Sequence, residues 1–156
     1  MPVSLLADFP EFIPVLAPEQ LAHWIRLLPD ETLATRTERL RTHLQRDTLP
    51  IAWVAHQDGE VFGTASLRVH DLEGREDLSP WLGGVFVREK FRGKGVASRL
   101  SRVVEKKAWA MGHETLYLFT LDQEPMYLHL GWTTREPVVW HGASGVIMTK
   151  RRPAPN

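Results

Sequence analysis

Residues 92–97, Arg-Gly-Lys-Gly-Val-Ala, place two glycines and two cationic side chains between an apolar run and a helical pattern. A strand, a glycine-rich turn and a helix N-terminus in this order expose backbone N–H groups that have no partner within the helix. The helix dipole adds partial positive charge, worth about 0.3–1 kcal/mol for an exposed anion. Gly93 and Gly95 let a ligand approach the backbone closely, and Arg92 and Lys94 supply cationic donors. The stretch therefore predicts a site for a pyrophosphate-bearing cofactor.

The spacing of these residues argues against two other phosphate sites. A P-loop needs Gly-x-x-x-x-Gly-Lys-Ser/Thr, and the sequence has no such run. A dinucleotide fingerprint needs a third glycine where Ser98 stands and an acidic residue about 20 residues on, where Thr115 stands. Both nucleotide interpretations are weak.

The run instead resembles the Arg/Gln-x-x-Gly-x-Gly/Ala signature of the GNAT superfamily, the acyl-CoA-dependent N-acetyltransferases. Arg92, Gly95 and Ala97 occupy the matching positions. Residues 126–132, Met-Tyr-Leu-His-Leu-Gly-Trp, resemble the family's Phe-Tyr-x-x-x-Gly-Phe element, in order and at the usual distance. The resemblance is specific over residues 80–133 and general elsewhere.

The order of elements read from the sequence is the one that the family shows, β-α-α-β-β-β-α-β-α-β-β. The resemblance implies an α/β fold in which helices flank a central mixed, mostly antiparallel sheet. One N-acetyltransferase domain would cover residues 1–149, followed by a flexible C-terminal tail at 150–156. Periodicity and turn signals predict helices over 18–28, 31–46, 98–111 and 124–130, and strands over 3–7, 51–56, 61–69, 81–87, 115–121, 133–140 and 144–149.

Composition excludes several function classes. The 156 residues suit one domain, and 19 basic residues balance 19 acidic ones, so no overall field favours nucleic acid or an anionic membrane. The absence of cysteine excludes disulfides, thiolate metal sites and a cysteine nucleophile. Scattered histidines predict no metal site. We expect neither a signal peptide nor a membrane span, and hence a cytoplasmic protein.

By resemblance, two groups of residues hold the donor acetyl-CoA. Backbone groups of Val85, Phe86 and Val87 pair with the pantetheine arm as if it were another strand. The pyrophosphate is bound by N–H groups of the turn and of the first helical turn, with help from Ser98; these residues are Arg92, Gly93, Lys94, Gly95, Val96 and Ala97. The alternative is a plain strand–helix turn whose glycines serve only the bend.

Tyr127 is the candidate general acid. It matches the family tyrosine whose hydroxyl protonates the leaving CoA thiolate. A phenol with a pKa of about 10 stays protonated at neutral pH and can donate a proton there. The alternative is a core tyrosine that packs beside Trp132.

The general base is less evident, because Gly83, Gly84 and Val85 stand where many family members carry a glutamate. Asp71 is the first choice, since antiparallel pairing would bring it beside Trp81. A solvated loop carboxylate and a chain of water molecules are the alternatives.

Trp24 and Trp81, with Gly83, are expected to border the acceptor pocket, which would then favour a flat, apolar or cationic group. Core packing explains both tryptophans equally well. The predicted function is acetyl transfer to a primary amine, on a small molecule or a peptide N-terminus, by direct attack in a ternary complex. The alternative is a non-catalytic acyl-CoA sensor, and a homodimer stays open.

Overall fold

Seven strands form one sheet in the order β1-β2-β3-β4-β5-β7-β6. The structure, a computed structural model, describes residues 1–155. Its strands are β1 (Val3–Leu5), β2 (Ile51–Gln57), β3 (Glu60–Arg68), β4 (Trp81–Val87), β5 (Thr115–Thr120), β6 (Thr133–Trp140) and β7 (Ala143–Arg151). Its α-helices are α1 (Ile13–Trp24), α2 (Leu33–Arg41), α3 (Val96–Ala110) and α4 (Glu124–His129). The predicted order of strands and helices is confirmed.

The first helix begins five residues before the predicted start at 18, at Ile13. Pro14 lies in its first turn, where a missing N–H removes no helical bond. Pro18 lies inside the helix and removes only the bond to the carbonyl of residue 14. Leu16 and Ala17 are completely buried beside it, and this packing holds the helix together.

The second helix ends at Arg41, five residues before the predicted end at 46. Beyond it, the Thr42 hydroxyl and the His43 Nδ1 both bond to the Arg39 carbonyl, at 2.6 and 2.8 Å. Leu44 then forms an isolated bridge with β2. The helix ends here because side chains and the bridge to the sheet make hydrogen bonds to backbone groups that a longer helix would have bonded internally.

Alternate residues of β2 face two different core clusters. Trp53 and Ala55 pack with α3, whose Leu100 and Val104 are completely buried. Ala52 and Val54 pack instead with α1 and α2. Helices therefore cover both faces of this part of the sheet, as period-two alternation of side chains requires.

The sheet opens between β4 and β5. All strand pairs are antiparallel except this one, which is parallel and joined at the single register position Trp81↔Tyr117. Within residues 1–155, no further pairing joins β4 to β5 beyond that position. A register shift between Thr64 and Ser66 of β3, opposite Gly84 with its φ of 60°, marks a bulge in β4. The rest of β4 thus has a free backbone edge.

The C-terminal strand extends into the predicted tail. Arg151 pairs with Thr115, and the Arg152 N–H donates to the Glu114 carbonyl at 2.9 Å. The first residues of the predicted tail therefore belong to the sheet, and Asn156 lies outside the described residues. None of the helices within residues 1–155 combines the length and the apolar character that crossing a bilayer requires.

Candidate active site

The turn before α3 has the backbone shape that its glycines predict. Gly93 and Gly95 adopt φ values of 74° and 77°, in the left-handed region that glycine occupies without strain. A Cβ built on either residue would meet nothing within 4 Å, so the backbone conformation rather than crowding requires glycine there. Arg92 Nε donates to the Val87 carbonyl at 3.1 Å and ties the turn to the end of β4.

The turn presents a fan of unpartnered amides. In the part of the chain that the structure describes, no N–H group of residues 93–98 donates to a backbone carbonyl or to a side chain. The helical ladder begins at Arg99, whose N–H donates to the Gly95 carbonyl at 3.1 Å. Lys94 is exposed beside these amides. Unpartnered donors at the positive end of a 15-residue helix are the type of group that binds a diphosphate.

The free edge of β4 lies next to that turn. Phe86 and Val87 pair with β3 on one side, opposite Thr64 and Gly63, and Val85 lies at the bulge. The side that faces β5 has no strand partner among the described residues. An extended ligand with amide groups, such as a pantetheine arm, could pair there as an added strand.

Tyr127 is buried in the core cluster that α3 and the sheet share, with 4% of its surface exposed. Its ring meets Trp132 edge to face at a centroid distance of 6.0 Å. Burial raises the pKa of Tyr127 to about 12. The buried Ser101 hydroxyl of α3 lies near the phenol and opposes this shift, although its geometry falls short of a hydrogen bond. The phenol therefore keeps its proton at neutral pH, and its packing on Trp132 matches the alternative core role as well.

Asp71 lies directly over β4. A Cβ built on Gly83 would lie 2.8 Å from the Asp71 Cγ, so this carboxylate fills the space that a side chain at position 83 would enter. Its side chain is only 8% exposed, which argues against a solvated loop carboxylate. Arg68 Nη1 donates to Asp71 Oδ1 at 2.5 Å and holds it in place.

Sequence reasoning missed the residues that support Asp71. Arg68 Nε donates to His43 Nε2 at 2.9 Å, and His43 Nδ1 donates to the Arg39 carbonyl at 2.8 Å. These contacts require a neutral imidazole with its proton on Nδ1. Burial, together with Arg68, lowers the pKa of His43 to about 4. The polar side chains that alternate along β3 up to Arg68 are the only sequence signal that points to this network.

The two tryptophans expected at the acceptor pocket have different positions. Trp24 is partly buried at the end of α1, where its ring packs 5.7 Å from Phe86 of β4 and lies under the Arg36 guanidinium at 4.9 Å. Trp81 is completely buried, and its Nε1 donates to the Leu78 carbonyl at 2.7 Å. The structure brings Trp24 to the side of β4 that Asp71 covers, but it gives Trp81 a core position.

Two cavities flank these residues. One, of about 310 Å³, lies between α1 and the glycine-rich turn and is lined by His23 and Arg92 among others. Desolvation, and then Arg92, lower the pKa of His23, and Asp122 opposes them. The other, of about 250 Å³, lies between α2 and the end of β3 and includes Arg39 and Arg68.

Comparisons with known proteins agree with this geometry. A sequence model described as the acetyltransferase (GNAT) family matches residues 18–132. The amino-acid acetyltransferase of Ralstonia nicotianae is 30% identical over 131 residues, which are 78% of this chain and 27% of that protein. The N-alpha-acetyltransferase 80 of Mus musculus is 31% identical over 140 residues, which are 86% of this chain and 43% of that protein. The chain thus spans less than half the length of these curated relatives.

A solved structure shares the fold. The crystal structure of an aminoglycoside 6'-N-acetyltransferase complexed with coenzyme A superposes with a TM-score of 0.77 at 18% sequence identity, and the match covers 100% of both chains. At this identity the likeness concerns the fold alone. The predicted architecture, a mixed and mostly antiparallel sheet flanked by helices, is confirmed.

Proposed function

Since the chain belongs to the GNAT acetyltransferase family, we propose that it transfers an acetyl group from acetyl-CoA to a primary amine on a small molecule or a peptide N-terminus. One observation carries the proposal: the unpartnered N–H groups of residues 93–98 lie at the start of α3, beside the free edge of β4. The first feature would bind the diphosphate and the second would bind the pantetheine arm of one donor molecule.

The donor would be held mainly by backbone groups. The amides of residues 93–98 would bind the diphosphate, with the cationic side chains of Arg92 and Lys94 and the hydroxyl of Ser98 close by. Residues 85–87 would pair with the pantetheine amides along the open side of β4. The partial positive charge at the N-terminus of α3 would stabilise the negatively charged diphosphate.

Acetyl transfer would then proceed by direct attack. The amine nitrogen forms a bond to the thioester carbonyl carbon, and the carbon–sulfur bond breaks to release the CoA thiolate. Tyr127 would give its proton to that sulfur, since its phenol is protonated at neutral pH. Direct attack is also favoured because the sequence has no cysteine that could carry an acyl group.

Asp71 would receive the proton that the attacking amine must lose. Its carboxylate lies over Gly83, on the face of β4 opposite α3, and Arg68 fixes its orientation. An ordinary alkyl amine has a pKa of about 10.4 and is mostly protonated at pH 7, so a nearby base is needed. Acid and base would then act from opposite faces of the sheet, through the opening between β4 and β5.

The test is steady-state CoA release over a panel of primary amines, with the wild type and the Tyr127→Phe variant. We expect amine-dependent release, and a loss of about 100-fold in kcat for Tyr127→Phe with little change in KM. Tyr117→Phe is the matched control and should behave as the wild type. Equal rates for both variants would argue against the acid role.

A non-catalytic acyl-CoA sensor is the second candidate. It is favoured by the absence of any carboxylate on β4, where Gly83 and Gly84 stand, and by the ion pair that engages Asp71. Saturable CoA binding in calorimetry without amine-dependent release from any acceptor would support the sensor. Absence of CoA binding would contradict both functions.

A further inference from the structure

We propose that the 250 Å³ cavity between α2 and the end of β3 binds a carboxylate of the acceptor, so that the preferred acceptor is an amine with an anionic group close to its nitrogen. We call it the Arg39–Arg68 cavity; His43 and His70 also line it. The inference rests on the proposed function and names the acceptor class for the same site.

Of the two arginine side chains that line the cavity, Arg68 is paired with Asp71, and the charge of the other has no ion-pair partner among the described residues. Among residues 1–155, Arg39 has no carboxylate within ion-pair distance, and its side chain is exposed to an incoming ligand. By contrast, the adjacent Arg36 is paired with Glu31 at 2.5 Å. Partial burial, followed by the charges of Arg68 and Arg36, lowers the pKa of Arg39, and the carboxylates of Asp71 and Glu31 oppose this shift. A bound anion would offset these unfavourable contributions.

Arg68 is held in one orientation at the inner end of the cavity. His43 accepts a hydrogen bond from its Nε, and Asp71 binds its Nη1. Its Nη2 covers Gly84, where a built Cβ would come within 2.5 Å of that nitrogen. The neutral imidazole of His43 thus orients Arg68 without contributing charge. A guanidinium fixed in this way is suited to recognise a carboxylate.

Arg68 also links the cavity to the proposed reaction centre. One of its nitrogens binds the Asp71 carboxylate, which lies over Gly83 of β4. An anion between Arg39 and Arg68 would therefore be separated from the proposed base, Asp71, by the guanidinium of Arg68 alone. The acceptor must then carry its carboxylate near the amine, as an α-amino acid does and as a peptide with an acidic first residue does.

The experiment compares paired acceptors of which one carries a carboxylate and the other the corresponding amide, at a pH where the amines of both are largely deprotonated. An α-amino acid is compared with its amide, and a peptide that begins with Asp with one that begins with Asn. The two pairs distinguish a free amino acid from a peptide N-terminus as the source of the carboxylate. In the wild type we expect kcat/KM to be higher by about tenfold or more for the carboxylate-bearing member of at least one pair.

Arg39→Gln should remove this preference, mainly by raising KM for the carboxylate-bearing acceptor, and Arg39→Lys should restore part of it. Arg41→Gln is the matched control, because Arg41 is exposed on the same helix and lies outside the cavity. Equal kcat/KM within both pairs in the wild type would overturn the inference. A loss in Arg39→Gln that is the same for charged and neutral acceptors would overturn it too.

Binding measured without turnover separates this inference from the proposed function. The same pairs are titrated calorimetrically into the protein saturated with CoA. If no amine is acetylated, but the wild type binds the carboxylate-bearing member more tightly and Arg39→Gln does not, the proposed function fails and the cavity assignment stands. If the wild type shows no preference, including when neither member binds, the cavity assignment is overturned.

Discussion

His43 shows how one residue can couple the pH of the solution to the stability of the site. Its imidazole is neutral and accepts from Arg68 while it donates to the Arg39 carbonyl. Protonation would place a second donor against the Arg68 guanidinium and break this contact. Burial and Arg68 therefore lower the pKa of His43 to about 4.

This shift predicts a loss of stability in acid. The unfolded chain binds a proton at His43 below its ordinary pKa of about 6.5, whereas the folded chain does so only near pH 4, so stability falls as pH drops through this window. We expect the free energy of unfolding to fall by up to about 3 kcal/mol from this residue between pH 7 and pH 4. Urea unfolding across that range should show a weaker pH dependence in His43→Gln.

His129→Gln is the control for this prediction, because His129 is exposed on α4. It should keep the pH dependence of the wild type. An identical acid response of the wild type and His43→Gln would contradict the assigned protonation state.

The element that organises the candidate site is α3. Its buried stripe, which includes Leu100, Val104 and Ala108, packs on the sheet and fixes the position of its N-terminus. The same helix places Ser101 beside Tyr127 and leaves the amides of residues 93–98 unpartnered. The packing of the buried stripe of α3 against the sheet thus fixes the position of the unpartnered amides at the N-terminus of the helix.

A negative charge at this end of α3 should disrupt donor binding. Ala97→Glu places a carboxylate in the first helical turn, where it favours the helix but repels a diphosphate. We expect the affinity for CoA, measured by calorimetry, to fall by at least about tenfold while the protein stays folded. Ala34→Glu, at an exposed position in the first turn of α2, should not change it. Unchanged CoA affinity in Ala97→Glu would remove the main support for the proposed function.

At the scale of the whole molecule, the sheet separates the two candidate proton-transfer groups. Tyr127 packs with α3 on one face, and Asp71 lies over β4 on the other. The opening between β4 and β5 connects the two faces. A largely buried ion pair joins α3 to β7, where Lys150 Nζ binds Glu105 at 2.6 Å and also donates to the Leu130 carbonyl at 2.8 Å.

Breaking this pair should destabilise the whole fold, because it joins α3, β7 and the end of α4. Lys150→Met leaves Glu105, whose side chain is 7% exposed, without its cation. We expect a loss of about 3 kcal/mol in the free energy of unfolding by urea, and recovery of much of it in the Glu105→Leu, Lys150→Met double variant. Lys106→Met, at an exposed position of α3, should have little effect. A neutral Lys150→Met variant would contradict a structural role for the pair.

Several features were predictable from the sequence because they depend on neighbouring residues. The positive φ values of Gly93 and Gly95 follow from a glycine-rich turn between a strand and a helix. The same local order supports the predicted family and fold, and both are confirmed. Tyr127 was predicted to lie on a short helix, and it does, but its role as an acid stays a prediction.

Only the tertiary structure decided how distant residues meet. Asp71 fills the space above Gly83, and Arg68 connects it to His43, because an antiparallel pair, a bulge and the end of α2 come together at one point. The complete burial of Trp81 depends on the loop before β4 and on β7 in the same way. Such contacts lie on elements far apart in the chain, and the periodicity that identifies each element carries no information about which residue of another element will face it.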